Sequence, residues 1–284
     1  MKNFKYFIEA IIIYFLFLIG KILGLNLSRK IFSFIFIKIG PMFRSNKVIN
    51  NNLNKFSKNL SEDERSKIIN SVWSNYGKTF VEYIFLNKFR ASQTHIKIDG
   101  EEILDEILEK RKPVIFFSGH FANFELMSME ITKKGIGLAT IYRPLNNFFL
   151  NPFMEFLRIK YVCKNQIKKG RIGVKEAINF LNRNNSIALM IDQRVSEGEK
   201  IKFFNQEALT TTLPAQLAIK YNLDLVPIFI ERSNCDNFKM KVYKPINPKQ
   251  FSNKNEISSE LNKILEKMIR KNPNQWIWTH NRWK

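Results

Sequence analysis

The sequence predicts an α/β fold in which a mostly parallel central sheet is flanked by helices. Two observations predict it. From residue 95 onward, apolar runs alternate with stretches of helical periodicity. The runs are apolar at successive positions rather than at every second position, which is typical of strands buried on both faces of a parallel sheet. Helices packed on a parallel sheet account for both observations.

The individual elements follow from these patterns. We predict strands over 113–118, 138–143, 187–192, 224–231 and 238–246. We predict helices over 101–111, 122–134, 148–160, 171–184, 212–222 and 255–271. Another helix is predicted from Ser61 to about Asn87, because Ser61 and Glu64 have the spacing of a capping box. No internal repeat or further boundary is evident, so residues 46–284 are predicted to form one domain.

Residues 1–45 are predicted to attach the chain to a membrane. The stretch "AIIIYFLFLIG" (Ala10–Gly20) carries no charge, and the wider apolar segment runs from about Tyr6 to Leu27. A second apolar stretch, 31–43, is interrupted by a lysine, a glycine and a proline, which favours an interfacial segment. A transmembrane span and burial at the membrane surface both remain open for the first segment, and a buried core helix is the alternative. The Asn-rich residues 46–60 are predicted to be a polar connection.

The chain is strongly basic. Its 46 Lys and Arg residues exceed its 25 Asp and Glu residues by 21. An excess of this size predicts polyanionic partners, namely nucleic acid, anionic lipid or an acidic protein. The sequence has no zinc-finger, RRM or basic-zipper pattern, so nucleic acid is disfavoured. Cys163 and Cys235 are too few and too far apart for a disulfide framework or a metal site, which fits a reducing compartment.

The stretch "SGHFANFE" (Ser118–Glu125) carries the candidate chemistry. His120 directly follows a predicted strand, at the sheet edge where α/β proteins bind ligands. If His120 lies in the turn and Glu125 in the first turn of the next helix, the carboxylate can orient the imidazole, which then accepts a proton from a hydroxyl. A structural histidine that caps the turn is the alternative. Ser118 lacks the G-x-S-x-G context of a nucleophile, and no H-E-x-x-H zinc motif is present, so neither a metal nor a cofactor is predicted.

Several blocks together resemble the lauroyl/myristoyl-type lipid A biosynthesis acyltransferases of Gram-negative bacteria. They are "SGHFANFE", "YRPLNN", "FLRIKY", "IDQR", "IKFFNQEALTTTLPAQLAIKYNLDLVPIF" and "PNQWIWTHNRWK". The resemblance covers nearly the whole chain. It departs at Phe124, where family members often have Trp. The block "IDQR" stands where the related glycerolipid acyltransferases usually carry a Glu-Gly-Thr-Arg-like phosphate-binding block.

The resemblance implies a glycerolipid-acyltransferase-like fold and acyl transfer from an acyl-carrier-protein thioester to a hydroxyl of a Kdo-bearing lipid A precursor. The catalytic domain is expected at the cytoplasmic side of the bacterial inner membrane, with acyl carrier protein as the donor partner and an anionic lipid as the acceptor. Two alternatives stay open: a sibling enzyme acting on another glycolipid or a glycerol-phosphate lipid, and a non-catalytic basic protein that binds membrane surfaces. The acyl chain length, the acylated hydroxyl and the oligomeric state also stay open.

The resemblance also implies roles for individual residues. His120 is the expected general base and Glu125 its orienting partner. The expected substrate-binding residues are Arg158, Arg143, Asp192, Arg194, Gln193 and Asn123. For the arginines the alternative is a solvated surface charge, and for Asp192 a turn cap. The Trp-rich tail after residue 273 is expected to pack against the domain, with contact to a membrane interface as its alternative.

Overall fold

The computed structural model describes residues 2–43, 46–233 and 236–284. Cys235 and the predicted domain boundary after residue 45 lie outside the described residues. The helices are α1 (Lys2–Leu23), α2 (Leu25–Phe43), α3 (Asn46–Phe56), α4 (Glu62–Glu82), α5 (Leu86–Ala91), α6 (Glu101–Lys110), α7 (Glu125–Lys133), α8 (Asn151–Leu157), α9 (Arg171–Leu181), α10 (Leu213–Tyr221) and α11 (Lys254–Lys271). The strands are β1 (Ile96–Asp99), β2 (Ile115–Ser118), β3 (Leu138–Tyr142), β4 (Asn165–Lys168), β5 (Ser186–Met190), β6 (Glu199–Phe203), β7 (Gln206–Thr210), β8 (Leu225–Arg232) and β9 (Phe238–Val242).

The central sheet is mostly parallel, which confirms the predicted fold class. Its strand order is β1-β9-β8-β2-β5-β3-β4. Neighbouring strands run parallel except β8 and β9, which are antiparallel. A separate antiparallel hairpin consists of β6 and β7. Because β2, β5 and β3 are adjacent and parallel, their carboxyl ends meet at one edge of the sheet, where they form one wall of a shared crevice.

Each face of the sheet supports its own hydrophobic core. On β2, Ile115 and Phe117 join the core that contains α9, α10 and α11, whereas Phe116 joins the core under α6, α7 and α8. This follows from the two-residue repeat of a strand, in which successive side chains point to opposite faces. All three side chains are fully buried. A sheet covered on both faces explains why β2 has no polar position before Ser118.

The N-terminal helices pack on α4. The α2–α4 contact is close because Gly77 faces the α2 backbone, where an added Cβ would lie 2.2 Å from the Phe32 carbonyl oxygen. By length and composition alone, α1 is suited to crossing a bilayer. One side of α1 is buried at Ala10, Phe17 and Gly20. The opposite side exposes a stripe of large apolar side chains at positions 4, 8, 11, 15, 18 and 22.

The structure differs from the sequence prediction in several elements. Residues 46–56 form α3 rather than a connection, because Ile49 and Leu53, one helical turn apart, are both fully buried. The same helix carries Asn52, whose side-chain amide donates to the carbonyls of Trp278 and His280 at 2.8 Å each. Strands β1 and β4 lie at the two edges of the sheet, and each has only four residues with a half-polar pattern, which gives little periodic signal.

Candidate active site

The residues that follow four neighbouring strands line one cleft of about 470 Å³. His120 follows β2, Arg143 follows β3, Lys169 follows β4, and Gln193 follows β5. This volume is in the usual range for small-molecule sites. The lining also includes apolar side chains, among them Met127, Ile141, Ala188, Leu189 and Leu213. The cleft therefore combines polar and charged groups with apolar surface.

A tight turn between β2 and α7 presents His120 to the cleft. Gly119 is required there, because an added Cβ would lie 2.8 Å from the Phe121 ring and 3.1 Å from Asp192 Oδ2. Ala122 adopts a positive φ of 44°, which L-residues rarely do. Hydrogen bonds hold it there: its carbonyl accepts from Asn75 and Thr79 of α4, at 3.3 and 3.1 Å. Helix α4 thus fixes the backbone that carries the histidine.

Asp192 is the hydrogen-bond partner of the His120 imidazole. Its Oδ1 lies 2.7 Å from His120 Nδ1, and its Oδ2 accepts the His120 backbone N–H at 2.7 Å. The indole N–H of Trp276 donates to the same Oδ2 at 2.8 Å. Asp192 is fully buried, whereas the His120 side chain keeps 20% of its surface exposed. The imidazole therefore connects a buried carboxylate to the open cleft.

These contacts define the protonation state of Asp192 and the tautomer of His120. Burial alone would raise the pKa of Asp192, but the charge and hydrogen bonds of His120 and the Trp276 indole outweigh burial and hold that pKa below its usual range. An ionised carboxylate only accepts hydrogen bonds, so Nδ1 of His120 carries a proton. In the neutral imidazole, Nε2 is then the unprotonated nitrogen. It is available as a base toward the cleft.

Glu125 occupies a different position from the predicted one. The sequence prediction paired it with His120, but its Oε1 accepts from Arg158 Nε at 2.8 Å and from the Tyr83 hydroxyl at 2.5 Å. Arg158 Nη2 also donates to the Tyr83 hydroxyl at 3.0 Å. Burial lowers the pKa of Arg158, but the Glu125 and Tyr83 interactions outweigh it and raise that pKa above its usual value. The carboxylate bonded to the His120 imidazole is therefore Asp192, and Glu125 holds an arginine in the cleft wall.

The other predicted substrate-binding residues divide into two groups. Arg143, Arg194 and Gln193 line the cleft with Glu125 and Arg158, and their role toward a substrate stays a prediction. The Arg194 guanidinium also donates to the Lys284 carbonyl at 2.8 Å.

Asn123 and Asp192 are buried instead, with exposed fractions of 1% and 0%. Asn123 donates to Glu82 Oε2 at 2.9 Å, beneath the turn. The structure thus corrects both expected contacts: Asn123 supports the turn, and Asp192 supports the histidine.

Two residues at the site were not predicted. Tyr83 falls within the helix predicted from Ser61 to about Asn87, and nothing in a single sequence shows which tyrosine meets a distant glutamate. Trp276 belongs to a tail that was predicted to pack against the domain. The tail does pack, and Trp276 and Trp278 are among the most buried side chains. Its contact with Asp192 spans 84 residues of sequence and required the fold.

A histidine–carboxylate pair at the carboxyl edge of a parallel sheet, beside a cleft lined by arginines and apolar side chains, is an arrangement that can take a proton from a hydroxyl. The comparisons with known proteins define the class more closely. The family model described as "Bacterial lipid A biosynthesis acyltransferase" matches residues 1–284. This chain belongs to that family, and it is accordingly an enzyme that transfers acyl groups.

Curated relatives carry the same description. A lipid A biosynthesis lauroyltransferase of Escherichia coli K12 is 23% identical over 252 residues, which is 86% of this chain and 80% of the relative. A lipid A biosynthesis palmitoleoyltransferase of the same organism is 22% identical over 278 residues, 92% of this chain and 88% of the relative. Among solved structures, the 1-acyl-sn-glycerophosphate acyltransferase PlsC of Thermotoga maritima matches with a TM-score of 0.42 and 12% identity, over 89% of this chain and 98% of the other.

Proposed function

We propose that this chain transfers a fatty acyl group from an acyl-carrier-protein thioester to a hydroxyl of a Kdo-bearing lipid A precursor. The observation that carries the mechanism is the 2.7 Å contact between His120 Nδ1 and the buried Asp192, which leaves Nε2 for the cleft. Membership of the lipid A acyltransferase family supports the acceptor class. The relatives named for lauroyl and palmitoleoyl transfer support a fatty acyl donor.

The proposed reaction needs no nucleophile from the protein. Nε2 of His120 takes the proton of the acceptor hydroxyl as its oxygen attacks the thioester carbon. Asp192 stabilises the resulting imidazolium, and the tetrahedral intermediate collapses with cleavage of the carbon–sulfur bond. The imidazolium returns the proton to the leaving thiolate. An ester and a free thiol result, and the histidine is neutral again.

Charge and apolar surface support the proposed substrates and location. Arg143, Arg158, Arg194 and Lys169 line a cleft that would face lipid A phosphates, and guanidinium groups suit phosphate oxygens. The apolar side chains of the lining suit an acyl chain. The exposed stripe of α1 favours a membrane surface. Because acyl carrier protein is an acidic protein of the cytoplasm, we place the catalytic domain at the cytoplasmic side of the inner membrane.

The proposal is tested with the purified full-length chain, fatty acids of defined length carried by acyl carrier protein or by coenzyme A, and a panel of acceptors. The panel contains a Kdo-bearing lipid A precursor, the same precursor without Kdo, and a lysophosphatidic acid, with products identified by mass spectrometry. We expect acylation of the Kdo-bearing precursor. Transfer only to another acceptor, or only from acyl-coenzyme A, would contradict the proposed substrates while leaving an acyltransferase.

The role of the histidine is tested by His120→Ala. Loss of the base is expected to lower kcat by about 10²–10⁴-fold, because general-base catalysis contributes that much. His95→Gln is the matched control, because His95 is buried against Glu130, away from the cleft. A His120→Ala variant that is folded and transfers acyl groups at the wild-type rate would remove the histidine from the mechanism.

A further inference from the structure

The tail after α11 returns to the turn between β2 and α7, which carries His120, and is hydrogen-bonded to that turn. The backbone N–H of Ala122 donates to the Gln275 carbonyl at 3.0 Å, and Phe121 forms an isolated antiparallel bridge with Trp276. Trp276 is 2% exposed and lies outside the cleft lining, so it does not meet a substrate. Its indole nevertheless reaches Asp192 Oδ2 at 2.8 Å.

We propose that Trp276 is a positioning residue for the His120–Asp192 pair, and that its indole N–H fixes the carboxylate and limits the basicity of the imidazole. The catalytic part of this inference rests on the proposed function, whereas the hydrogen bonding itself involves only the side chains of Trp276, Asp192 and His120. With the His120 backbone N–H, the indole supplies one of two donors to Oδ2. Two donors on one oxygen fix the rotation of the carboxylate and aim Oδ1 at Nδ1.

The indole also changes the charge that the imidazole experiences. A donor N–H withdraws negative charge from the carboxylate, and an imidazolium beside a weaker negative charge is stabilised less. The N–H therefore favours the neutral imidazole that a general base requires. Asp192 is fully buried, and a low local dielectric strengthens the hydrogen bonds that it accepts, this one included.

Other charged groups surround the pair and must stay constant in a test. Arg282 of the tail is buried and donates to the Leu209 carbonyl at 2.8 Å and to Thr210 Oγ1 at 2.7 Å. Burial lowers the pKa of Arg282 to about 10, and the charge of Asp192 acts in the opposite direction. The titratable or charged groups that share the cleft with His120 are Glu125, Tyr142, Arg143, Arg158, Lys169, Arg194 and His280.

The chain offers a matched pair of substitutions. Trp276→Phe removes the N–H that faces Asp192. Trp278→Phe removes an N–H from the neighbouring indole, whose ring centroid is 4.6 Å away. The Trp278 indole donates instead to the Pro273 carbonyl at 2.7 Å. Both side chains are buried in the same tail, so the two variants create similar cavities and leave every surrounding charge unchanged.

The first measurement is an NMR titration of histidine side chains in the full-length chain. The protein has three histidines, and His120→Gln identifies the signal of His120. We expect Trp276→Phe to move the midpoint of the His120 titration upward by roughly 0.5–1 pH unit, part of the effect of one hydrogen bond to a charged group. Trp278→Phe is expected to leave that midpoint unchanged. Equal midpoints in the two variants would overturn the proposal and leave Trp276 a packing residue.

The second measurement is the pH dependence of acyl transfer. Trp276→Phe is expected to move the acid limb of kcat/KM to higher pH by the same amount without raising KM, because the residue does not touch the cleft. The two proposals fail separately. A shifted NMR midpoint in a chain without acyl transfer would support the role of Trp276 and contradict the function. If His120→Ala loses activity but the two tryptophan variants have identical pH profiles of kcat/KM, the function is supported and the role of Trp276 is contradicted.

Discussion

At the scale of single residues, the two carboxylates of the site differ in what surrounds them. Asp192 receives only N–H groups, two of them from His120, and no arginine hydrogen-bonds to it among the described residues. Glu125 faces the guanidinium of Arg158 and the hydroxyl of Tyr83. A carboxylate whose charge is already balanced by an arginine gives an imidazolium less support. These surroundings make Asp192 the carboxylate suited to stabilise an imidazolium at His120, whereas Glu125 is suited to position Arg158.

The substitution Asp192→Asn is predicted to stop proton transfer without removing a side chain. The amide oxygen must face the N–H donors of Trp276 and the turn, so the amide nitrogen faces His120 Nδ1. A donor at that position forces the imidazole proton onto Nε2, which then cannot accept from a hydroxyl. We expect kcat to fall by about 10²–10⁴-fold, with little change in KM.

Glu125→Gln is the matched control for Asp192→Asn. The glutamine oxygen can still accept from Arg158 and Tyr83, so we expect a loss of kcat within about tenfold, equivalent to about 1.4 kcal/mol. Steady-state kinetics measures the loss of kcat in both variants, and circular dichroism checks that both are folded. If Glu125→Gln costs more in kcat than Asp192→Asn, the assignment of the two carboxylates is reversed.

The candidate site could be predicted in part because strand ends are visible in a sequence. His120, Arg143 and Gln193 each follow an apolar run that the structure confirms as a strand, and adjacent parallel strands bring such residues together. The partner of His120 could not be predicted in this way. Along the chain, Glu125 is five residues from His120 and Asp192 is 72 residues from it. Asp192 nevertheless contacts the imidazole, because β2 and β5 are neighbours in the sheet.

At the scale of elements, helix α4 packs against the turn that carries His120 and supports it. Its last residue, Glu82, is fully buried and receives hydrogen bonds from Arg29 of α2 at 2.7 Å and from Arg232 of β8. Asn123 of the turn donates to the same carboxylate. One glutamate therefore joins an N-terminal helix, the central sheet and the turn that carries the histidine.

Glu82→Gln is predicted to destabilise the whole chain. The substitution leaves Arg29 and Arg232 buried without a counter-charge, and breaking a buried ion pair in this way costs about 3–5 kcal/mol. Denaturant unfolding at pH 7 measures the loss of unfolding free energy. Glu62→Gln is the control, because Glu62 lies on the same helix with its side chain 93% exposed, and we expect no measurable change for it.

The stability that Glu82 contributes is predicted to depend on pH, and it decreases in acid. Burial would raise the pKa of Glu82, but Arg232, Arg29 and Asn123 outweigh it and lower that pKa below the ordinary 4.5. A depressed carboxyl pKa stabilises the fold above the unfolded value and loses that contribution as the pH falls through the folded value. The difference in unfolding free energy between wild type and Glu82→Gln is therefore expected to shrink below about pH 4.5. A constant difference down to pH 3 would contradict an ionised Glu82.

Long elements with strong periodicity could be predicted, and short or polar ones could not. The capping box of α4 is present as expected, with both Ser61 and Glu64 bonded. In contrast, α3 is Asn-rich, and its helical state depends on Ile49 and Leu53 packing against the rest of the chain. Such tertiary contacts override local propensity and leave little trace in sequence.

At the scale of the whole molecule, the exposed apolar surface of α1 lies near the cleft. Helix α1 contacts the segment that leads into α8: the Tyr14 hydroxyl donates to the Phe149 carbonyl at 2.9 Å, and Asn147 donates to the Tyr6 carbonyl at 2.8 Å. Phe148 and Phe149 are 51% and 37% exposed beside this contact. The same loop begins at residues 143–146, which line the cleft. A membrane that covers α1 would therefore lie close to the mouth of the cleft.

Two substitutions on the exposed stripe of α1 test this arrangement. Phe15→Asp and Leu18→Asp, at positions 61% and 58% exposed, put carboxylates where we expect lipid. Each charge costs up to roughly 3 kcal/mol in hydrocarbon and less at the interface, so together they are predicted to lower vesicle binding by at least about tenfold. The control is Asn59→Asp with Asn255→Asp, which adds the same charge at exposed polar positions. Co-sedimentation with anionic vesicles measures binding for both double variants. If both bind less tightly to the same extent, net charge rather than the apolar stripe holds the chain at the membrane, because removing positive charge weakens attraction to anionic lipid wherever it occurs.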